Sequence, residues 1–155
     1  LFMLPGATFV FLLAPVSGRL MDELSYFKPI VFGLTLASLG LAFLAFVLPN
    51  AGGKLLLCGD VATKIGMGLA ASSLVATSLS QLEREEAIDG NSVLNTLQQF
   101  SGALSTTVVS VIFGWAQKTM PNGSMVGSRI SIVLILAITL IALGLVLKLK
   151  FEARN

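Results

Sequence analysis

Long apolar runs alternate with short polar ones along this chain. The apolar stretches are 1–20, 30–48, 55–80, 93–117 and 130–149. A bilayer core of roughly 30 Å takes about 20 apolar residues per helix, with a working range of about 17–25, so each run is long enough to cross it. The joins collect most of the charge together with Pro, Gly and Asn, the residues that break regular structure. Peptide groups in hydrocarbon find no water and must pair within their own segment, which makes the runs helices. No stretch alternates apolar and polar at period two, as a barrel strand would. The pattern predicts an all-α membrane protein with five transmembrane helices.

Composition narrows the chemistry. The chain is 55% hydrophobic and 12% charged, with a mean hydropathy of +0.90. Soluble domains carry about twice that charge. Histidine is absent, which removes the commonest zinc ligand and the usual neutral-pH base. Neither a rhomboid-type site nor HExxH can be built without it, and "LCGD" at 57–60 lacks the first Gly of an aspartyl-type Gly-x-Gly-Asp. We therefore expect no catalytic residues, no metal and no enzyme. The net charge of +2 is too small to point to nucleic acid. Cys58 is the single cysteine and forms no internal disulfide.

Lys and Arg set the expected orientation. With five spans, Arg19, Lys28, Arg84, Lys148, Lys150 and Arg154 fall on one face, and Lys54, Lys118 and Arg129 on the other. The richer face is expected to be cytoplasmic, with the C-terminus inside. Leu1 opens an apolar run that holds Pro5 and Pro15 and has no basic leader, unlike a signal peptide. It reads as a span whose predecessors are missing.

The runs differ in their polar content. The third carries small residues at steps of three and four (Gly59, Thr63, Gly66, Ala70, Ser73, Thr77, Ser80), and the second a shorter set, Gly33, Ala37 and Gly40. Such stripes let helix backbones approach closely. Asp60 and Lys64 lie at i and i+4 on the third run and can pair. Either they neutralise one another or reach for the interface, or they take part in substrate or proton coupling. The fourth run places Asn95, Gln98, Gln99, Gly102, Ser105 and Thr106 on one side. Hydrogen bonding between helices and the lining of a cavity both explain buried amides. The fifth run is apolar nearly all round and is expected at the periphery.

"LPGATFVFLLAPVSGRLMDELSYFKP" (4–29) resembles the tenth helix and following loop of the 14-helix drug:proton antiporters of the major facilitator superfamily, the EmrB/QacA type. The matching elements are Leu4-Pro5-Gly6, Pro15, and Gly18-Arg19-Leu20 with Asp22. "AIDGNSVLNTLQQFSGALS" (87–105) is similar to that family's later "GDGSxxxNTxRQxxGAxG". The likeness runs in order along essentially the whole chain. Departures exist: Glu23 follows Asp22, Ser25 takes a Gly place, and Gln98-Gln99 stand where Arg-Gln is common.

The resemblance implies that the chain is helices ten to fourteen, an incomplete six-helix half of a major facilitator fold and a truncated C-terminal transmembrane domain. Folds of this kind are built from three-helix repeats. It implies a latch at Gly18, Arg19 and Asp22 that biases the inward/outward equilibrium; plain topogenic charge explains the same residues. It implies export of drugs or other amphipathic, often cationic, compounds across the cell membrane, driven by the proton gradient and without a cofactor. The partners would be the missing N-terminal helices, the bilayer and the substrate. A non-transporting scaffold or accessory subunit is the alternative, since polar helix faces also serve assembly.

Overall fold

The computed structural model describes residues 27–48 and 53–152, which form four helices: α1 (Phe27–Val47), α2 (Gly53–Leu79), α3 (Arg84–Thr119) and α4 (Gly123–Glu152). The expected first span, 1–20, lies outside the described residues, and so do Gly18, Arg19 and Asp22. Three of the described helices are long and apolar enough to cross a membrane, over Phe27–Val47, Lys54–Leu79 and Gly123–Leu149. The protein is an all-α membrane protein. The fourth expected run, 93–117, sits inside α3, which is not among those three. Its amides dilute the hydropathy that would otherwise mark it.

The described residues fall into two compact units: one holds those up to Ser73 together with those from Ile132 onward, the other Leu74–Ser131. In the first, α1 starts Phe27-Lys28-Pro29. A proline is harmless there, because the first four N–H groups of a helix have no partner in it. The buried positions of α1, Ile30, Gly33, Leu34, Ala37, Ser38, Gly40 and Leu41, recur at three and four and make one face. That face meets α2 in antiparallel register, backbone against backbone. A Cβ added to Gly33 would stand 2.7 Å from both the Gly66 carbonyl and the Ala70 amide. One added to Gly40 would lie 2.8 Å from the Thr63 amide, and one on Gly66 would strike Ala37 and the Gly33 carbonyl. Gly33, Ala37 and Gly40 of the one small-residue stripe thus face Gly59, Thr63, Gly66 and Ala70 of the other, while Thr77 and Ser80 belong to the second unit. Ile30, Leu34 and Ala70 form its core, and Ala142, Leu143 and Val146 of α4 pack against them. On other sides of α4, Ile138, Ile141, Leu145 and Leu149 stay exposed.

Hydroxyls within these helices pair locally. Ser38 Oγ donates to the Leu34 carbonyl at 2.8 Å, Thr63 Oγ1 to Gly59 at 2.8 Å and Thr139 Oγ1 to Ile135 at 2.8 Å. Such i−4 bonds bring a polar atom into an apolar helix without asking a neighbour for help.

The second unit is built on α3, whose 36 residues extend about 54 Å at 1.5 Å per residue. Helix begins at Arg84, so most of the charged 81–92 segment, which reads as a loop, is the opening of α3. Glu85 and Glu86 lie in its first turn, where acids complement the positive end of the helix dipole. The turn into α4 is short. Met120 donates its amide to the Ala116 carbonyl at 3.0 Å, and Asn122 adopts φ 59°, a left-handed conformation that Asn tolerates better than most residues. A Cβ on Gly123 would collide with the Ala116 carbonyl, and one on Gly127 would lie 3.1 Å from the Ala116 Cβ and the Phe113 Cα. Ala116 is fully buried in consequence, and Gln117 Nε2 bridges the hairpin to Ser124 Oγ at 3.1 Å. The 118–129 segment, which also reads as a loop, is therefore a three-residue turn between helix ends.

Candidate functional site

The middle of α3 carries a run of uncharged polar side chains in an otherwise apolar stretch. Successive residues of an α-helix turn by about 100°, so Asn91, Asn95, Gln98, Gly102 and Ser105 cluster on one side, with Thr106 and then Gln99 at its edge. Asn95, Gln98, Gln99, Gly102 and Thr106 are all exposed. Asn95 Nδ2 donates to Asn91 Oδ1 one turn earlier, at 3.3 Å, and Thr106 Oγ1 donates to the Gly102 carbonyl at 2.8 Å. Among the described residues nothing stands within 4 Å of a Cβ added to Gly102.

The opposite side of α3 has a regularity that the sequence reading did not single out. Val93, Leu97, Phe100, Leu104, Val108, Val111 and Trp115 are large, apolar and exposed. Their steps are four, three, four, then four, three, four again, an eleven-residue repeat. At about 3.67 residues per turn such a repeat stays almost parallel to the helix axis. The counting signal was available in the sequence, but apolar positions on an apolar run do not draw the eye. The helix thus has an apolar ladder on one side and an amide-rich stripe on the other.

In the first unit the notable group is Asp60 with Lys64. Lys64 Nζ donates to Asp60 Oδ2 at 2.6 Å, and the side chains keep 35% and 40% of their surface respectively. Their positions on α2 lie roughly a quarter to a third of a turn away from Gly59, Thr63, Gly66 and Ala70, given about 100° per residue. The pair is therefore not part of the glycine seam. Paired charges cost less in hydrocarbon than separate ones. The latch residues cannot be placed beside either group, because they fall outside the described residues. No group of three or more His, Cys, Asp or Glu able to hold a metal occurs among the described residues.

No protein-family model matches the chain, and no solved structure gives a significant match. Curated proteins do. The chain is similar to the lincomycin resistance protein LmrB of Listeria innocua and that of Listeria monocytogenes, 30% identical over 118 residues. It is equally similar to LmrB of Bacillus subtilis, 30% over 117 residues. Each match covers 76% of this chain, but only 25%, 25% and 24% of the respective relative. The chain thus spans about a quarter of the length of the curated relatives it matches.

Proposed function

We propose that this chain is the C-terminal membrane part of an exporter that carries drugs or other amphipathic toxic compounds out of the cell in exchange for protons. The observation that carries the reading is the similarity to lincomycin resistance proteins across 76% of the chain. The motifs around Asp22 and 87–105 supply the finer assignment to the EmrB/QacA type, with five spans forming an incomplete six-helix half of a major facilitator fold. The remaining helices of the same transporter are its partners, and the chain alone does not transport. It resides in the cell membrane with its C-terminus in the cytoplasm, on the Lys/Arg bias. Gly18, Arg19 and Asp22 act as a cytoplasmic latch, with Asp22 ahead of the N-terminus of α1, where negative charge is favoured. The amide stripe of α3 borders the inward-facing cavity. Amides both donate and accept, so they hold water and varied ligands without fixed charge.

The test uses the full-length protein in a drug-sensitive host. Accumulation of lincomycin and of cationic dyes is expected to fall on expression and to recover when a protonophore collapses the gradient. Asp22→Asn is expected to weaken export at unchanged membrane abundance. Accumulation that never changes for any compound would leave the scaffold or accessory-subunit reading in its place.

A further inference from the structure

A cleft of about 460 Å³ runs along the outside of the α1–α2 pair. Its walls are Leu36, Leu39 and Phe43 from α1 and Cys58 and Ala62 from α2, with Gly40 and Gly59 between them. The volume falls in the roughly 300–1,000 Å³ of ordinary small-molecule sites, yet the residues around it offer no charge and no amide to orient a polar ligand. It exists because of the seam. The glycines that bring the two backbones together leave no side chain at the join, while Leu39 and Phe43 stand out beside it.

The cleft's place along the helices says what fits it. It occupies the C-terminal half of α1 and the N-terminal half of α2, so it lies at the end of the pair joined by residues 48–52. At that end α2 begins its apolar span with Lys54. Lys54 is four residues before Cys58 and eight before Ala62, so all three lie on one side of α2. The lysine stands about 6 Å beyond Cys58 along the axis. Lys54 is exposed, and no acid is in ion-pair range of it among the described residues. A long side chain at a span's end lies along apolar surface and lifts its charge to the interface. An apolar slot running inward from a cation that no described acid pairs has the layout of one molecule: an anionic head above a hydrocarbon chain.

We propose that the α1–α2 cleft is a site for a bilayer phospholipid, with its phosphate on Lys54 and one acyl chain between Leu36, Leu39, Phe43, Cys58 and Ala62. The charge complementarity selects an anionic lipid over annular lipid in general. The site rests on α1 and α2 crossing the membrane and is independent of what the protein exports, so its failure leaves the transport reading standing.

The experiment reconstitutes the full-length protein in vesicles of phosphatidylethanolamine and phosphatidylglycerol, the latter doped with an analogue carrying a diazirine on its acyl chain. After photolysis, peptide mass spectrometry locates the adducts. They are expected to concentrate on 36–43 and 58–62 and to exceed those at exposed positions elsewhere, such as Phe32 and Ile141. Lys54→Gln, a change on an exposed side chain, is expected to lower adducts in the cleft about fivefold, the share of one lysine at an anionic surface, and to leave those at Ile141 unchanged. Ala62→Trp, which fills the cleft, is expected to remove them. Adducts spread evenly over exposed apolar positions and indifferent to Lys54→Gln would mean annular lipid only and would overturn the site. Absence of adducts from the cleft, or a protein–protein cross-link there, would show that another helix or a second copy covers it, and would overturn it equally.

Discussion

The α1–α2 seam and the middle of α3 both depend on glycine, but in opposite settings. At the seam, Gly33, Gly40, Gly59 and Gly66 have backbone or side chain at closer than van der Waals distance from any added Cβ. On α3, nothing among the described residues stands within 4 Å of a Cβ added to Gly102 or Gly114. Without a hydrophobic force between helices in lipid, close backbone packing is what holds a pair together. The seam has spent its surface on that contact. The α3 stripe instead keeps amides exposed, which would be costly against hydrocarbon and is sensible against water, ligand or another polar helix. One region is packed backbone to backbone, and the other keeps its polar side chains exposed among the described residues.

The largest expected effect tests that contrast directly. Gly66→Leu drives a side chain into the α1 backbone and is expected to cost about 3 kcal/mol, the upper part of the usual overpacking range, read as a loss of thermal stability and yield in detergent. Gly102→Leu meets open space and is expected to stay within about 0.5 kcal/mol of the parent while reducing export. Equal loss of yield in both variants would remove the distinction between the two regions.

A middle-sized effect is expected at the ion pair. Lys64→Met strands the Asp60 carboxylate, and Asp60→Asn strands the ammonium. Each is expected to lower stability by about 2 kcal/mol, less than the 3–5 of a fully buried pair because both side chains are partly exposed. The double variant is expected to be more stable than either single one. Additive losses in the double-mutant cycle would show that the two groups do not depend on one another.

The smallest effects sharpen the α3 side. Asn95→Ala and Gln99→Ala are expected to change resistance to some drugs by about fivefold, the worth of one net hydrogen bond of about 1 kcal/mol, with others unaffected and expression unchanged. Uniform loss across all drugs together with less protein in the membrane would make the stripe an adhesive between helices and defeat the cavity reading.

The seam was legible in the sequence because close packing leaves a compositional mark: small residues at steps of three and four. The i,i+4 reach between Asp60 and Lys64 was legible for a similar local reason. Helix limits were not. "EREEAID" reads as a loop by its charge, yet Glu and Ala favour helix and acids favour its first turn, so α3 begins at Arg84. The Gln117–Ser124 bridge was also hidden, since it depends on how short the turn at 120–122 is. The cleft beside Phe43 arises between helices and leaves no linear signal at all.

The hydroxyls of α3 add one more property to this surface. Ser92, Thr96, Thr106 and Thr107 each donate their proton to the carbonyl four residues back in their own helix, at 2.8–3.2 Å. A hydroxyl has one proton and two lone pairs, so what remains for any visitor is electron density alone. These four hydroxyls form a weak Lewis-basic rail that accepts from an ammonium or another proton donor, beside amides that keep N–H donors of their own.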